Sequence, residues 1–491
     1  MTSAGAFPFP ANKTTCLLQS FGFGPVALLA FVVCFLLVGG PAHATAKTGT
    51  NAPADAKVCF SSGVNKLNKG DNEGAIADLS KAIELDPKLA PAYAVRAYAK
   101  CEKEDLAGAL SDATTALKFD PENFIAYATR GRTKGKKEDY DGAIPDLSKA
   151  IDLDPTDFSA YKNRGRCLRE KGNHDGAIAD YSKAIELNPK SAEAYFSRGS
   201  SKSAKQDYDG AITDYSKVIE LNPKAGDAYL SRGICRKKKG DIDGTLSDFT
   251  TAIELGPKEP VARMAYYARG RVKSDQGDLP GALADLSAAI ELYSAAVIPK
   301  PLKAGPYREH GYLRLRLKDI RGALADLSKA IEFDPKNSTA FEIRARAKVL
   351  NGEYEGARID FRKSIDLSTG NNAYARFHLF LLNLRLKYPQ SLPNFKATVH
   401  GWKDDWEKSV GLFLAGEIDE PAFLSLAANG DPARVREFLC EAFYYAGMLR
   451  LLKGDAAGAQ TLFEKCLTTE VSNFVEFDFA SAELSRLRAK H

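Results

Sequence analysis

The 491-residue chain contains six histidines and eight cysteines, the residue types from which metal and redox sites are most often built. His43, His174, His310, His378, His400 and His491 share no ligand-type interval with one another or with a cysteine, so no metal site is expected. The string "HGWKDDW" at 400–406 gathers one histidine and two aspartates. The aspartates are adjacent, however, and sequential residues do not share a helical face, so they form no acid–base pair. A phosphate-binding loop, a Gly-x-Ser-x-Gly elbow and a dinucleotide fingerprint are all missing from the sequence. The expectation is a protein that is not an enzyme, with no cofactor and no small-molecule substrate. What does recur is opposite charge at fixed spacing. Arginine stands at 96, 130, 164, 198, 232, 269 and 344, and aspartate at 78, 112, 146, 180, 214, 248, 285, 326 and 360.

That recurrence belongs to a repeat. Pro87, Pro121, Pro155, Pro189, Pro223 and Pro257 follow one another at intervals of 34 residues, closing near-copies such as "GAIADLSKAIELDPK" and "GAIADYSKAIELNPK". A period of this length predicts stacked helical hairpins. Counting so that the proline falls at position 32, position 4 is aromatic (Tyr93, Tyr127, Tyr161, Tyr195) and position 8 is small (Gly63, Ala97, Gly131, Gly165). Both lie on one face of the first helix, and the aromatic is expected to fill the space between helices. Alanines at positions 20 and 27 let the helices approach. The arginine and aspartate fall at positions 7 and 23, on facing helices, and predict a structural ladder of ion pairs. Nine units fit, over 56–371; before Tyr307 the register slips by seven residues around "YSAAVIPKPLKAGPY". Pro299, Pro301 and Pro306 make this insert read as a stiff surface loop.

This large–small alternation closed by proline resembles the tetratricopeptide repeat. The resemblance implies an all-α fold, a helical-hairpin solenoid wound as a right-handed superhelix of about nine repeats, with a helical C-terminal cap. It also implies that positions 2, 5, 6, 9, 12 and 13 of the first helices line a concave groove. Those positions hold Arg132, Lys136, Lys162, Asn163, Arg166, Arg169, Lys237 and Arg271, which are the candidate peptide-binding residues. Arginine at helical spacing suits carboxylates, so acidic or C-terminal peptide segments are the expected ligands. The lysine–asparagine clamp of C-terminus-binding members is not reproduced, since Ser197 stands where its next asparagine would be.

The flanks read differently. Residues 24–40, "GPVALLAFVVCFLLVGG", carry no charge and precede Ala42-His43-Ala44, a small-x-small site. The stretch 1–44 is expected to be an export signal, or, if retained, an N-terminal anchor, with 45–55 as linker. Past 371 the period fades into a helical C-terminal domain, 372–491, that ends in a repeat-like hairpin and cap. Its strings "LFLAGEID", "EAFYYAGMLRLLKGD" and "NFVEFDFASAEL" resemble the bacterial outer-membrane repeat lipoprotein known as new lipoprotein I. That resemblance implies an adaptor in the cell envelope, periplasmic or secreted, that docks proteins such as envelope hydrolases or proteases. Self-association of the array is a further partner expectation. With 68 basic and 63 acidic residues, a formal charge of +5, no nucleic-acid partner is expected. Cys167 and Cys235 hold one position two repeats apart, roughly 20 Å from each other, beyond disulfide reach. Cys440 and Cys466, on the two helices of the last hairpin, are the only pair worth testing, against the reading that all six cysteines beyond Ala44 are buried free thiols.

Overall fold

The computed structural model describes residues 54–388, 391–403, 405–472 and 474–489. The export signal and anchor readings, with most of the linker, fall outside them. The described residues form 25 helices and no strand, in two compact units, 1–241 and 242–491.

The first unit holds five helical hairpins: Ala54–Asn68 with Asn72–Leu85, Ala90–Glu102 with Leu106–Phe119, Phe124–Lys136 with Tyr140–Leu153, Phe158–Glu170 with His174–Leu187, and Ala192–Ala204 with Tyr208–Leu221. The first helix of a sixth, Gly226–Lys239, ends the unit. The turns explain themselves locally. Asp71 caps its second helix by accepting the Gly74 N–H at 2.8 Å, and Asp105, Asp139 and Asp207 cap theirs in the same way. A Cβ at Gly108 would sit 2.1 Å from the Asp105 carboxylate, so the cap itself demands glycine there. Each second helix ends where an extended Asp or Asn precedes the proline, as at Asp86 with φ −136°.

Between the two helices of a hairpin, the space left by the position-8 glycine is filled from the second helix. A Cβ at Gly131 would lie 2.7 Å from Leu147, and at Gly165 or Gly199 it would lie 3.1 Å from Tyr181 or Tyr215. The filler is therefore position 24, not the position-4 aromatic as the repeat pattern suggested. The aromatic is only half-buried and serves the ladder instead. Arg96, Arg130, Arg164 and Arg198 each place their guanidinium 5.4–5.8 Å from the ring three residues earlier.

The ladder is present. Arg96 grips Asp112 with two N–H groups at 2.8 Å each, and Arg130–Asp146, Arg164–Asp180 and Arg198–Asp214 repeat the fork. Each such arginine is about four-fifths buried and its aspartate more so. Lys100, Lys134 and Lys202 add a second cation to three of these aspartates. The remaining guanidinium nitrogen reaches back to the preceding repeat: Arg96 donates to Ser80, Arg164 to Ser148 and Arg198 to Ser182, at 2.9–3.0 Å. The ladder thus ties helix to helix and also repeat to repeat.

The second unit begins with Ile242–Leu255 and continues with hairpins Pro260–Asp275 with Leu279–Ala295, Lys300–Arg316 with Ile320–Phe333, and Ser338–Asn351 with Tyr354–Leu367. Arg269–Asp285 and Arg344–Asp360 continue the ladder. In the eighth repeat His310 replaces the arginine, bonding Asp326 at 2.7 Å and Ser287 at 2.9 Å. The proline-rich insert is not a loop. It lengthens the helices on either side to 17 residues each, leaving 296–299 as the connection. Pro301 sits in the first turn, where its missing N–H costs nothing, and Pro306 alone removes an internal bond.

Helices Ala373–Arg385, Ser391–His400, Trp406–Leu414 and Glu420–Ala428 lead to the last hairpin, Val435–Leu452 with Ala456–Thr468, and to Val475–Arg488. Their core is aromatic: Phe423 stacks on both Phe413 and Trp406, and Phe377 meets Trp402 and Tyr445 edge-on. The final helix closes the ninth hairpin. Arg486 donates to the Val349 and Leu350 carbonyls at 2.7 and 2.8 Å, satisfying the end of Ser338–Asn351, while Arg385 forks onto Glu483.

Candidate peptide-binding face

Within the first unit the first helices of successive hairpins lie side by side, and they carry all of the candidate residues except Arg271. The structure spends most of them internally. Arg132 donates to Glu102 at 2.5 Å and lies over the Tyr98 ring. Glu102 is held below its ordinary range because the Arg132 charge and hydrogen bond outweigh the effect of its burial. Lys136 bonds Glu104 at 2.6 Å and the Cys101 carbonyl. Lys162 pairs with Glu193 at 2.8 Å, and Arg169 with Glu170 at 2.6 Å. Asn163 is turned inward, 9% exposed, and donates to the Ser159 carbonyl. In the second unit Arg271 lies over Tyr267 and 4.0 Å from Glu309. Lys237, in the last turn of Gly226–Lys239, is engaged as well.

Arg166 differs. No carboxylate among the described residues comes within ion-pair distance of it. Its guanidinium lies over Gly135, where an added Cβ would sit 3.3 Å from Nη2. The repeat register explains the missing partner. The Arg132–Glu102 pair shows that position 9 of one unit meets position 13 of the preceding one. For Arg166 that position is Lys136, a like charge already held by Glu104. Beneath lies Tyr181, buried against Gly165, its hydroxyl pushed up to about 12 by burial despite the nearby Arg169 charge. Arg166 is thus a half-buried guanidinium with no carboxylate partner among the described residues.

The paired residues were the part that position-by-position reading missed. Their partners Glu102, Glu104 and Glu193 are visible in the sequence, but only the register of adjacent repeats reveals that they meet. The described residues contain no cluster of three or more His, Cys, Asp or Glu able to hold a metal ion. No described helix is long and apolar enough to cross a membrane.

Sequence profiles of the tetratricopeptide repeat match residues 56–89, 125–157, 147–179, 192–224 and 308–372, and a further TPR repeat profile matches 165–202. Among solved structures, MamA is 31% identical over 32% of this chain and 93% of its own length, with TM-score 0.31. YrrB, described as a TPR protein with an unusual peptide-binding site, is 25% identical over 39% of this chain and 97% of its own, with TM-score 0.36. PilF of Pseudomonas aeruginosa is 20% identical over 42% and 94%, with TM-score 0.39. Hairpins, turn caps and profile matches recur in both units, and the protein belongs to the tetratricopeptide repeat family.

Proposed function

We propose that this protein is a non-enzymatic scaffold that binds acidic or C-terminal peptide segments on the face lined by its first helices, with Arg166 as the anchor. Tetratricopeptide repeats in general mediate protein–protein contact. The observation that carries the finer reading is the single uncompensated cation of the first unit's candidate set: a carboxylate arriving at Arg166 gains a charge-assisted hydrogen bond without breaking an existing pair. Lys162, Arg169, Lys136 and Arg132 then act mainly as a positive surround whose own partners restrain them. Location in the bacterial cell envelope, and partners among envelope hydrolases or proteases, are part of the same proposal. They are supported by the apolar 24–40 run with its small-x-small site and by the C-terminal strings quoted above.

The test is fluorescence anisotropy with a fluorescein-labelled peptide of alternating aspartate and serine ending in a free carboxylate. Wild-type protein should bind it in a salt-sensitive manner, and Arg166→Glu should weaken binding at least about tenfold, or roughly 1.4 kcal/mol. Lys149→Glu, on the exposed side of a second helix, should leave it unchanged. Equal binding by wild type and Arg166→Glu would remove the anchor from this face.

A further inference from the structure

Two thiols in the C-terminal core are placed for a reaction that no other part of the molecule calls on. Cys440 lies on Val435–Leu452 and Cys466 on Ala456–Thr468, and their sulfurs are 3.4 Å apart with both side chains fully buried. The other described cysteines, Cys59, Cys101, Cys167 and Cys235, are free as well, and all four belong to the first unit. We propose that Cys440 and Cys466 are a disulfide site, closed by exchange with a small-molecule disulfide while the last hairpin folds.

The two sulfurs are not equivalent. The Cys440 thiol is lowered, chiefly through its hydrogen bond with Cys466, which outweighs burial, with a smaller contribution from Thr469. Cys466 is pushed far up by the same bond and by burial. Exchange through Cys440 begins on its thiolate. Its sulfur bonds to one sulfur of the small disulfide and expels a thiolate. That thiolate takes the proton of Cys466, whose sulfur then attacks Cys440 and expels the second thiolate, which takes up the proton Cys440 had released. In balance, two protein S–H groups and one small disulfide give one protein S–S bond and two small thiols. Closing the pair requires the sulfurs to approach to about 2.05 Å, a side-chain adjustment between two helices already in contact.

Burial sets the timing. Val475–Arg488 covers the hairpin, bringing the Glu476 carbonyl to 4.0 Å from the Cys466 sulfur. Exchange must therefore precede docking of that helix or follow its local release. The bond would enclose the turn at Gly454 and restrain the hairpin on which the cap is built. The structural alternative is two reduced thiols acting as small core residues, and it predicts a different chemical product.

The full chain should be refolded in glutathione redox buffer, alkylated under denaturing conditions and digested with trypsin. The expected product is peptide 437–450 joined to peptide 466–486, 2 Da lighter than the sum of the two free peptides, in molar yield over any pairing of Cys101, Cys167 or Cys235. The wild-type thermal transition should fall by several degrees on reduction, and that of Cys440→Ala should not move. Recovery of both peptides alkylated and unlinked would overturn the proposal. So would a glutathione adduct on Cys440 that is not resolved by Cys466. Because the readout is covalent, it is independent of whether the Arg166 face binds peptide.

Discussion

Single side chains decide how each hairpin closes. The aspartate at position 23 accepts a forked guanidinium and, in most repeats, an ammonium, in a setting where both aspartate and arginine are mostly withdrawn from water. Desolvation offsets much of the attraction in such a group, but removing one partner strands the others. Asp214 is the most buried of those in the first unit, 1% exposed, and it holds Arg198 and Lys202 together. Asp214→Asn should therefore destabilise by about 3 kcal/mol, seen as a lower urea midpoint with unchanged helical content at zero denaturant. The charges of the ladder were legible from recurrence alone. Its stacking on the position-4 rings and its bond to the previous repeat's serine were not, because both depend on side-chain direction, which spacing leaves open.

At the scale of the element, hairpin turns tolerate what they do not prefer. Position 15 takes a left-handed conformation throughout, with φ near +80° at Gly70, Gly172 and Gly240. Glu104, Glu138, Gln206 and Lys318 occupy it at φ 63–66°. An ordinary side chain in that conformation costs about 1 kcal/mol. Gln206→Gly should accordingly raise stability by about that much, measurable as an upward shift of the urea midpoint, since Gln206 is exposed and has no role in the ladder. The insert before Tyr307 shows the opposite lesson. Its three prolines suggested a loop, yet the flanking helices absorbed it: Pro299 caps the second of them, Pro301 sits in its first turn, where little is forfeited, and Pro306 alone costs an internal bond. Element boundaries of this kind answer to neighbours more than to local propensity.

For the molecule as a whole, both units are built from the same repeat hairpins; the second adds a cap whose core includes buried acids. Burial, then the neighbouring Glu476 charge, push the Glu441 carboxyl well above the ordinary carboxylate range, against hydrogen bonds from Trp406 at 2.7 Å and Tyr374 at 3.1 Å. Burial acts the same way on Glu476, but bonds from His378 and Tyr445 outweigh it and hold that carboxyl low. A carboxyl raised in the folded state contributes stability below its unfolded value, and that contribution is lost as pH rises through the folded one. Glu441→Gln should thus match wild type near pH 4 and exceed it increasingly toward pH 8 in thermal stability. Parallel curves would show that Glu441 is not the group responsible.

The 34-residue period, the helix-ending prolines, the caps and the paired charges of the ladder follow from the sequence, because each is a local or strictly repeated relation between residue types. Tertiary structure alone decided that position 24 rather than position 4 fills the hairpin, and that the cations of the shared face are mostly spoken for. It also decided that Cys440 and Cys466 touch. These three outcomes depend on the register between neighbouring helices, where a shift of one turn changes every partner, and local pattern does not specify that register.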